Sequence, residues 1–415
     1  MTAMTSPAFQ IRIAQSLAEV SPAAWNACAN SPVEHGLELT SEDNSSPKLS
    51  TRGIPSNPFI SHEFLSALEE SGSVGGRTGW QPRHLLVEGP GGYLLGAAPC
   101  YVKTHSRGEY VFDHGWAEAF ERAGGNYYPK LQVAVPFTPV TGPRLLVRQG
   151  PHTIAVRERL ADALIEITTT NDLSSAHVTF LTKPEWQTLG EQGFLLRTDR
   201  QFHWRNSGYR NFDDFLTCLA SRKRKAIRRE RKEALGTDIE VCWLTGSDLN
   251  ESVWDAFFAF YMETGSRKWG RPYLTRQFFS LVGEKMRERT LLVMARRAGR
   301  WIAGAINFIG ADTLYGRNWG AIEHHPFLHF ELCYYQAIAY AIENGLKRVE
   351  AGVQGEHKLA RGYLPHVTYS AHFIANAALR RAVADYLSRE RLYIQAAAEE
   401  LAAAAPFRKD LVEPE

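Results

Sequence analysis

The chain has 415 residues, 44% of them hydrophobic and 11% aromatic, enough to build two cores of ordinary domain size. Its 47 basic and 45 acidic side chains leave a formal charge of +2, which argues against a dedicated nucleic-acid coat or a membrane-surface protein and makes any basic partner site local. The five cysteines are scattered, with no Cys-x-x-Cys pair, so a disulfide scaffold is not indicated. No apolar run reaches the ~18 residues of a spanning helix, and residues 1–10 lack a basic stretch followed by an apolar one. The expectation is a cytoplasmic globular protein without a membrane span.

Along the chain, residues 31–56 are rich in Ser, Pro, Gly, Glu and Asp, which predicts a long mobile loop. A helix follows over 61–69, with Phe64, Leu65 and Leu68 on one face and Gly72 as its stop. Strands 84–88 and 93–103 are joined by Gly89-Pro90-Gly91-Gly92, a hairpin signal. Strands near 110–112 and 131–135, a helix over 155–168, strand 177–181, a short helix 185–192 and strand 194–197 complete the first half.

The second half repeats this order. A helix over 212–235 ends at Gly236, then strand 239–243, helices 252–263 and 275–287, and strands 290–296, 301–309 and 313–318 follow. Helix 330–344 stops at Gly345, followed by strands 348–352 and 368–373 and a closing helix over 378–403. The class is α/β, with domains expected at 1–205 and 206–415. A weak internal repeat supports duplication. Gly91-Gly92-Tyr93-Leu94-Leu95-Gly96-Ala97 matches Gly299-Arg300-Trp301-Ile302-Ala303-Gly304-Ala305, and each is followed downstream by a tryptophan, Trp116 or Trp319.

Four stretches carry candidate chemistry. Residues 221–232 hold eight basic side chains in twelve. Arg222, Lys225, Arg229 and Lys232 share one helical face, and Arg224, Arg228 and Arg231 another. Like charges so spaced repel, so the cluster points to an anion site rather than to local stability, although charge runs are often plain solvated faces. The second stretch, Gly355-Glu356-His357-Lys358-Leu359-Ala360-Arg361-Gly362, follows a buried strand, where loops commonly carry function. Acyl transfer to an amine needs a base and an oxyanion donor. Glu356 and His357 are the candidate bases, and Lys358 and Arg361 candidate anion holders.

Third, aromatic, basic and Pro/Gly residues alternate over 101–113, 126–130 and 136–144, the pattern of a groove for an extended polar ligand or of a rigid junction. Fourth, residues 323–331 contain three histidines, but Pro326 breaks the helix between His325 and His329. With no His-Glu-x-x-His pattern, a helix-entry loop is favoured over a metal site. Phosphate-loop, dinucleotide and serine-elbow motifs are missing, which argues against ATP hydrolysis, nicotinamide redox chemistry and serine hydrolysis.

Asn57-Pro58-Phe59, the Ser221–Lys225 run, Tyr315 to Trp319, Leu328 to Tyr335 and the 355–362 loop together resemble the FemAB-like family of predicted N-acyltransferases. The resemblance implies a tandem acetyltransferase-like (GNAT) fold with two mixed-sheet domains. It also implies kinship with ligases that move an amino acid from aminoacyl-tRNA to a peptidoglycan precursor. From the residues themselves, Arg222, Arg224, Arg228, Lys358 and Arg361, joined by Tyr128, Lys130 and Trp319, are expected to hold donor or acceptor, with Glu356 and His357 catalytic. No cofactor is expected to stay bound. Acyl-CoA or aminoacyl-tRNA would be the co-substrate, with a small molecule or cell-wall precursor as acceptor and tRNA as a partner. One departure bears on the donor: before the relevant helix stand Pro326-Phe327-Leu328-His329-Phe330, without the glycines of the usual coenzyme A diphosphate turn. The alternative reading is a non-catalytic module of the same fold that binds a cell-wall precursor or RNA.

Overall fold

The computed structural model describes residues 9–30, 57–269, 272–352 and 355–408, with the backbone alone at 267–269, 356 and 402–403. The loop expected over 31–56 lies outside the described residues. Two compact units emerge. The first comprises 9–30, Phe59–Asp199 and Thr368–Ile394, and the second Arg200–Val367 with 395–408. The closing helix, Ala377–Ala403, thus gives most of its length to the first unit. There Leu379, Val383 and Leu387 pack with Trp116 and Tyr127.

In the first unit the strands are β1 (Gln10–Ala14), β2 (Trp80–Pro82), β3 (His84–Glu88), β4 (Leu94–Ala98), β5 (Cys100–Lys103), β6 (Lys130–Val133), β7 (Leu146–Val147) and β8 (Ser175–Leu181), with β9 (Leu195–Arg205) leading out. The strand expected over 93–103 is two, because Pro99 offers no N–H to continue the ladder. The two pieces pair in different sheets: β4 with β3 and β7, β5 with β2 and β6. β6 and β8 run parallel through three residue pairs, Leu131 with Ala176 to Val133 with Val178. Helix Thr153–Thr170 connects the parallel strands, burying Val156, Leu160 and Leu164. No strand forms over 110–112, where Tyr110 takes a left-handed turn (φ 61°). β1 and helices Pro22–Ala29 and His114–Arg122 were not foreseen.

The second unit is built from β10 (Ile239–Leu244), β11 (Thr290–Arg297), β12 (Arg300–Ile309), β13 (Thr313–Ala321) and β14 (Arg348–Glu350), ordered β10-β11-β12-β13-β14-β9. Helices Glu251–Trp269 and Arg276–Lys285 follow β10. A helical run over 328–343 connects β13 to β14, and these two strands are parallel. The helix expected over 212–235 is interrupted: Phe212–Thr217 and Ser221–Leu235 flank a segment in which Leu219 bridges to Phe407. The core gathers Trp204, Leu291, Val293, Ile302, Leu314, Leu332, Ile338 and Tyr363, each large apolar side chain contributing about 1.5–3 kcal/mol of burial. β15 (Leu364–Ile374) then returns to the first unit, pairing with β8 from Tyr369 onward.

Each unit therefore carries an antiparallel hairpin, a connecting helix and one parallel strand pair. This is the expected α/β class, in two tandem GNAT-like mixed-sheet units. Among the described residues no helix is long and apolar enough to cross a membrane.

Candidate functional site

In an open α/β sheet, ligands sit beyond the carboxyl ends of parallel strands where the topology reverses. The second unit offers such a place. β13 and β14 pair for three residues, Thr313 with Arg348 to Tyr315 with Glu350, and β14 then ends while β13 runs on to Ala321. β13 also bulges there. Between the pairs Asn307–Gly316 and Ala305–Trp319 it spends one residue more than β12, at Arg317-Asn318. A bulge re-aims side chains and increases local twist. Gly316 stands at the pinch, where an added Cβ would lie 3.3 Å from Asn307 Oδ1 and 3.5 Å from the Glu350 carbonyl.

The chain leaves β14 through Gly352 (φ 78°) and Gly355 (φ 112°) into the turn Glu356–Arg361, closed by Gly362 (φ 90°). These left-handed positions suit glycine and fold the loop back over the strand ends. Lys358 becomes 2% exposed, its Nζ donating to the Gly352 carbonyl at 2.8 Å. Burial first, then the Arg317 guanidinium, lowers its pKa to about 7. Behind it, His203 on β9 faces Glu350, with Nε2 to Oε2 at 4.0 Å, and stacks on His366 at 4.3 Å. Burial, then the neighbouring His366 ring and the Arg348 and Arg205 guanidiniums, hold His203 well below its usual range, while burial and Arg348 lower His366 to about 4. Both imidazoles are neutral at pH 7.

The loop's other side chains meet the helical run. Leu328–Phe330 opens it, a π turn spans Glu331–Tyr335, and Gln336–Glu343 completes it. π turns are wide, rare and frequent at functional sites. This one aims Tyr334 and Tyr335 at the loop. Tyr334 Oη lies 2.9 Å from His357 Nε2, and the exposed His357 ring stacks on Phe330. Arg361 covers the Phe330 ring at 3.5 Å, donates to the His357 carbonyl at 2.7 Å and pairs with Glu230 at 2.8 Å. Glu230 also accepts from the Tyr335 hydroxyl.

Glu230 and its neighbour Arg231 belong to the basic helix Ser221–Leu235 and form its inner face. Arg231 holds the fully buried Glu331 through three bonds of 2.9–3.2 Å. Arg222, Lys225, Arg229 and Lys232 point outward and are exposed. Arg228 is exposed and pairs with Asp213 at 3.0 Å, and Arg224 is half-buried with a 3.4 Å contact to the Thr217 carbonyl. The Glu356 side chain lies outside the described residues. Trp319 is half-buried on β13 against His329, ring centroids 5.0 Å apart.

Tyr128 and Lys130 lie in the first unit. Lys130 is fully buried, bonding Ser106 and Glu109 at 2.8 Å and Asp113 at 2.5 Å, and Tyr128 Oη meets Ser106 at 2.9 Å. Lys103, Ser106, Glu109 and Asp113 of these loops are buried too, whereas Thr104, Arg107 and Asn126 are exposed. Beyond the parallel pair β6–β8, residues 138–145 fold across the strand end. Buried Arg144 donates to the carbonyls of Thr179 (2.9 Å), Gly142 (3.1 Å), Pro143 (3.0 Å) and Val140. In 323–331, Glu323 accepts from Arg297 at 2.7 Å and lies 3.0 Å from His325. Among the described residues no group of three or more His, Cys, Asp or Glu could hold a metal ion. Sequence reasoning gave no role to His203, His366 or Glu350, and Arg317, Glu230 and Tyr334 lay inside stretches it singled out without being named for a role. Only alternation hinted at β9, where buried Gln201 and His203 interleave with Phe202 and Trp204.

No curated protein matches this chain. Among solved structures it is similar to FemX, at 13% identity over 80% of this chain and 96% of that one, TM-score 0.49. It is also similar to a tandem GNAT protein from the clavulanic acid biosynthesis pathway (10% identity, 89% and 99% covered, TM-score 0.44). A third is L-PGS from Bacillus licheniformis (9% identity, 81% and 98% covered, TM-score 0.46). The profile of the FemAB-like family, described as peptidoglycan biosynthesis/recognition, matches residues 16–409, and the chain belongs to that family.

Proposed function

We propose that the chain is an N-acyltransferase that moves an acyl or aminoacyl group from an activated ester or thioester to an amine of a cell-wall precursor, with its site in the second unit. The observation that carries this reading is Lys358. It is a buried amine with a pKa of about 7, set in the loop beyond a short parallel strand pair. At neutral pH such an amine is divided between its two forms, so it can take a proton in one step and hold a negative oxygen in another.

In the reaction, the acceptor nitrogen attacks the donor carbonyl, forming C–N. The tetrahedral oxygen is held by a cation, for which Arg317 and protonated Lys358 are the candidates. Collapse breaks the bond to sulfur or oxygen. The ammonium proton passes to neutral Lys358 or to His357, and the departing thiolate or alkoxide is protonated in turn. No covalent enzyme intermediate is required. The cations of the basic helix, Arg222, Arg224 and Arg228 among them, hold the anionic part of donor or acceptor. The first unit supports assignment to the second: its equivalent strand ends lie under its own chain, fixed by Arg144.

A thermal-shift screen with acyl-CoAs and an aminoacyl-tRNA separates the two donor classes, since a ligand present well above its dissociation constant raises the melting temperature. With the donor in hand, Lys358→Met is expected to lower kcat at least about 100-fold. Lys358→Arg should flatten the rise of rate with pH through 7 that a neutral-amine base requires. Full turnover by Lys358→Met would refute the reading, and ligand binding without turnover by the unaltered chain would favour a recognition module.

A further inference from the structure

The first unit holds a feature that the transfer chemistry proposed for the other does not use. A groove of about 400 Å³ is lined by Trp186, Phe194, Leu195, Leu196, Leu387 and Arg391, with Ala384 at its side. That volume is in the range of small-molecule sites, which are mostly apolar with a few placed polar groups. Two such groups are present.

The Trp186 indole N–H is buried and has no acceptor among the described residues. A buried donor left unpaired costs about 1–3 kcal/mol, and a native structure that retains one calls for an explanation. Arg391 spends one nitrogen on the Leu196 carbonyl at 2.6 Å, and its other N–H groups have no protein acceptor among the described residues. The adjacent carboxylate does not neutralise it. Glu390 is engaged by Arg197 through two 2.7 Å bonds and by the Tyr386 hydroxyl at 2.9 Å. The groove is therefore an apolar trough with one uncompensated positive charge and one unused buried donor.

We propose that this groove binds a single-chain amphiphile with an anionic head, an alkyl carboxylate or alkyl phosphate. The chain lies along Phe194, Leu196 and Leu387, and the head accepts from Arg391 and Trp186. Guanidinium suits both heads, because its planar fork matches two oxygens of either.

Calorimetric titration of the full chain with decanoate, decyl phosphate, decanol and decyltrimethylammonium, each below its micelle concentration, tests this. One of the anions should bind at a single saturable site, and which one identifies the head. Decanol should bind at least about tenfold more weakly, the loss of a charge-assisted hydrogen bond, and the cation should not bind. Arg391→Gln should weaken the anion about tenfold and leave decanol unchanged. Trp186→Phe, which keeps the ring and removes the N–H, should also weaken the anion, and Ala384→Trp should fill the groove and abolish binding. Equal binding of anion and cation, no saturable binding by any probe, or anion affinity unchanged in folded Arg391→Gln and Trp186→Phe would overturn the proposal.

Discussion

Arg361 illustrates how a charge is kept in a largely dry place. It is 6% exposed, yet carboxylate, backbone carbonyl and aromatic face each take a share of its cation. Removing one partner of such a pair leaves the other stranded, which typically costs about 3–5 kcal/mol. Arg361→Met is therefore expected to destabilise by roughly 3 kcal/mol, because Glu230 keeps its Tyr335 hydroxyl. Adding Glu230→Gln should recover part of that loss, since no buried charge is then unpaired. Denaturant unfolding of the single and double variants measures it, and strictly additive losses would sink the coupling. The sequence marked Arg361 as polar and placed, but its acid stands 131 residues away inside a run of arginines. Pairings at that separation have no local signature. The same holds for His203 and Glu350, which register alone brings together.

At the scale of elements, the hairpins and most helices were legible because periodicity and glycine turns are local. The turn at Gly91-Gly92 and that at Ala298-Gly299 both take positive φ, and each precedes a strand of its hairpin, as the repeat implied. Its tryptophans do not correspond: Trp116 lies on a helix and Trp319 on a strand. The bulge in β13 and the π turn were not legible, since each adds a residue that only tertiary contacts demand. β13 meets helix Glu251–Trp269 so closely at Gly320 that an added Cβ would stand 2.0 Å from the Phe260 carbonyl oxygen. That oxygen is backbone and cannot swing aside. Gly320→Ala is expected to cost about 3 kcal/mol, read as a lowered denaturant midpoint at constant m; a change under about 0.5 kcal/mol would contradict the packing. The basic helix gives the opposite expectation. Arg222, Lys225, Arg229 and Lys232 are exposed, so changing all four to Gln should alter stability by no more than about 1 kcal/mol. It should weaken an anionic donor and flatten the salt dependence of its binding. Unchanged affinity across a salt series would reduce the helix to a solvated face.

For the molecule as a whole, acid is the condition its buried groups are least built to meet. His177 and His372 sit in the first unit, Nδ1 to Nδ1 at 2.7 Å, and His203 and His366 in the second. Burial depresses all four, His177 to about 3 and His366 to about 4. An unfolded histidine takes its proton near 6.5. Between that value and the folded one, the unfolded chain binds more protons, so stability falls as pH drops. Each histidine contributes at most about 1.4 kcal/mol per pH unit. Asp113 adds to the fall lower down: burial opposes its charge, but Lys130 and His177 keep its carboxyl below the usual range. Glu109 acts the other way, because burial raises it to about 7, so the folded chain holds its proton between about 4.5 and 7. One such group offsets one histidine of four. The denaturation midpoint should therefore drop steadily from pH 7 to 5. His366→Gln, which replaces the half-buried member of the second pair, should make that drop shallower. A midpoint flat across this range, or one unaffected by His366→Gln, would mean that the histidines are not held neutral by the fold.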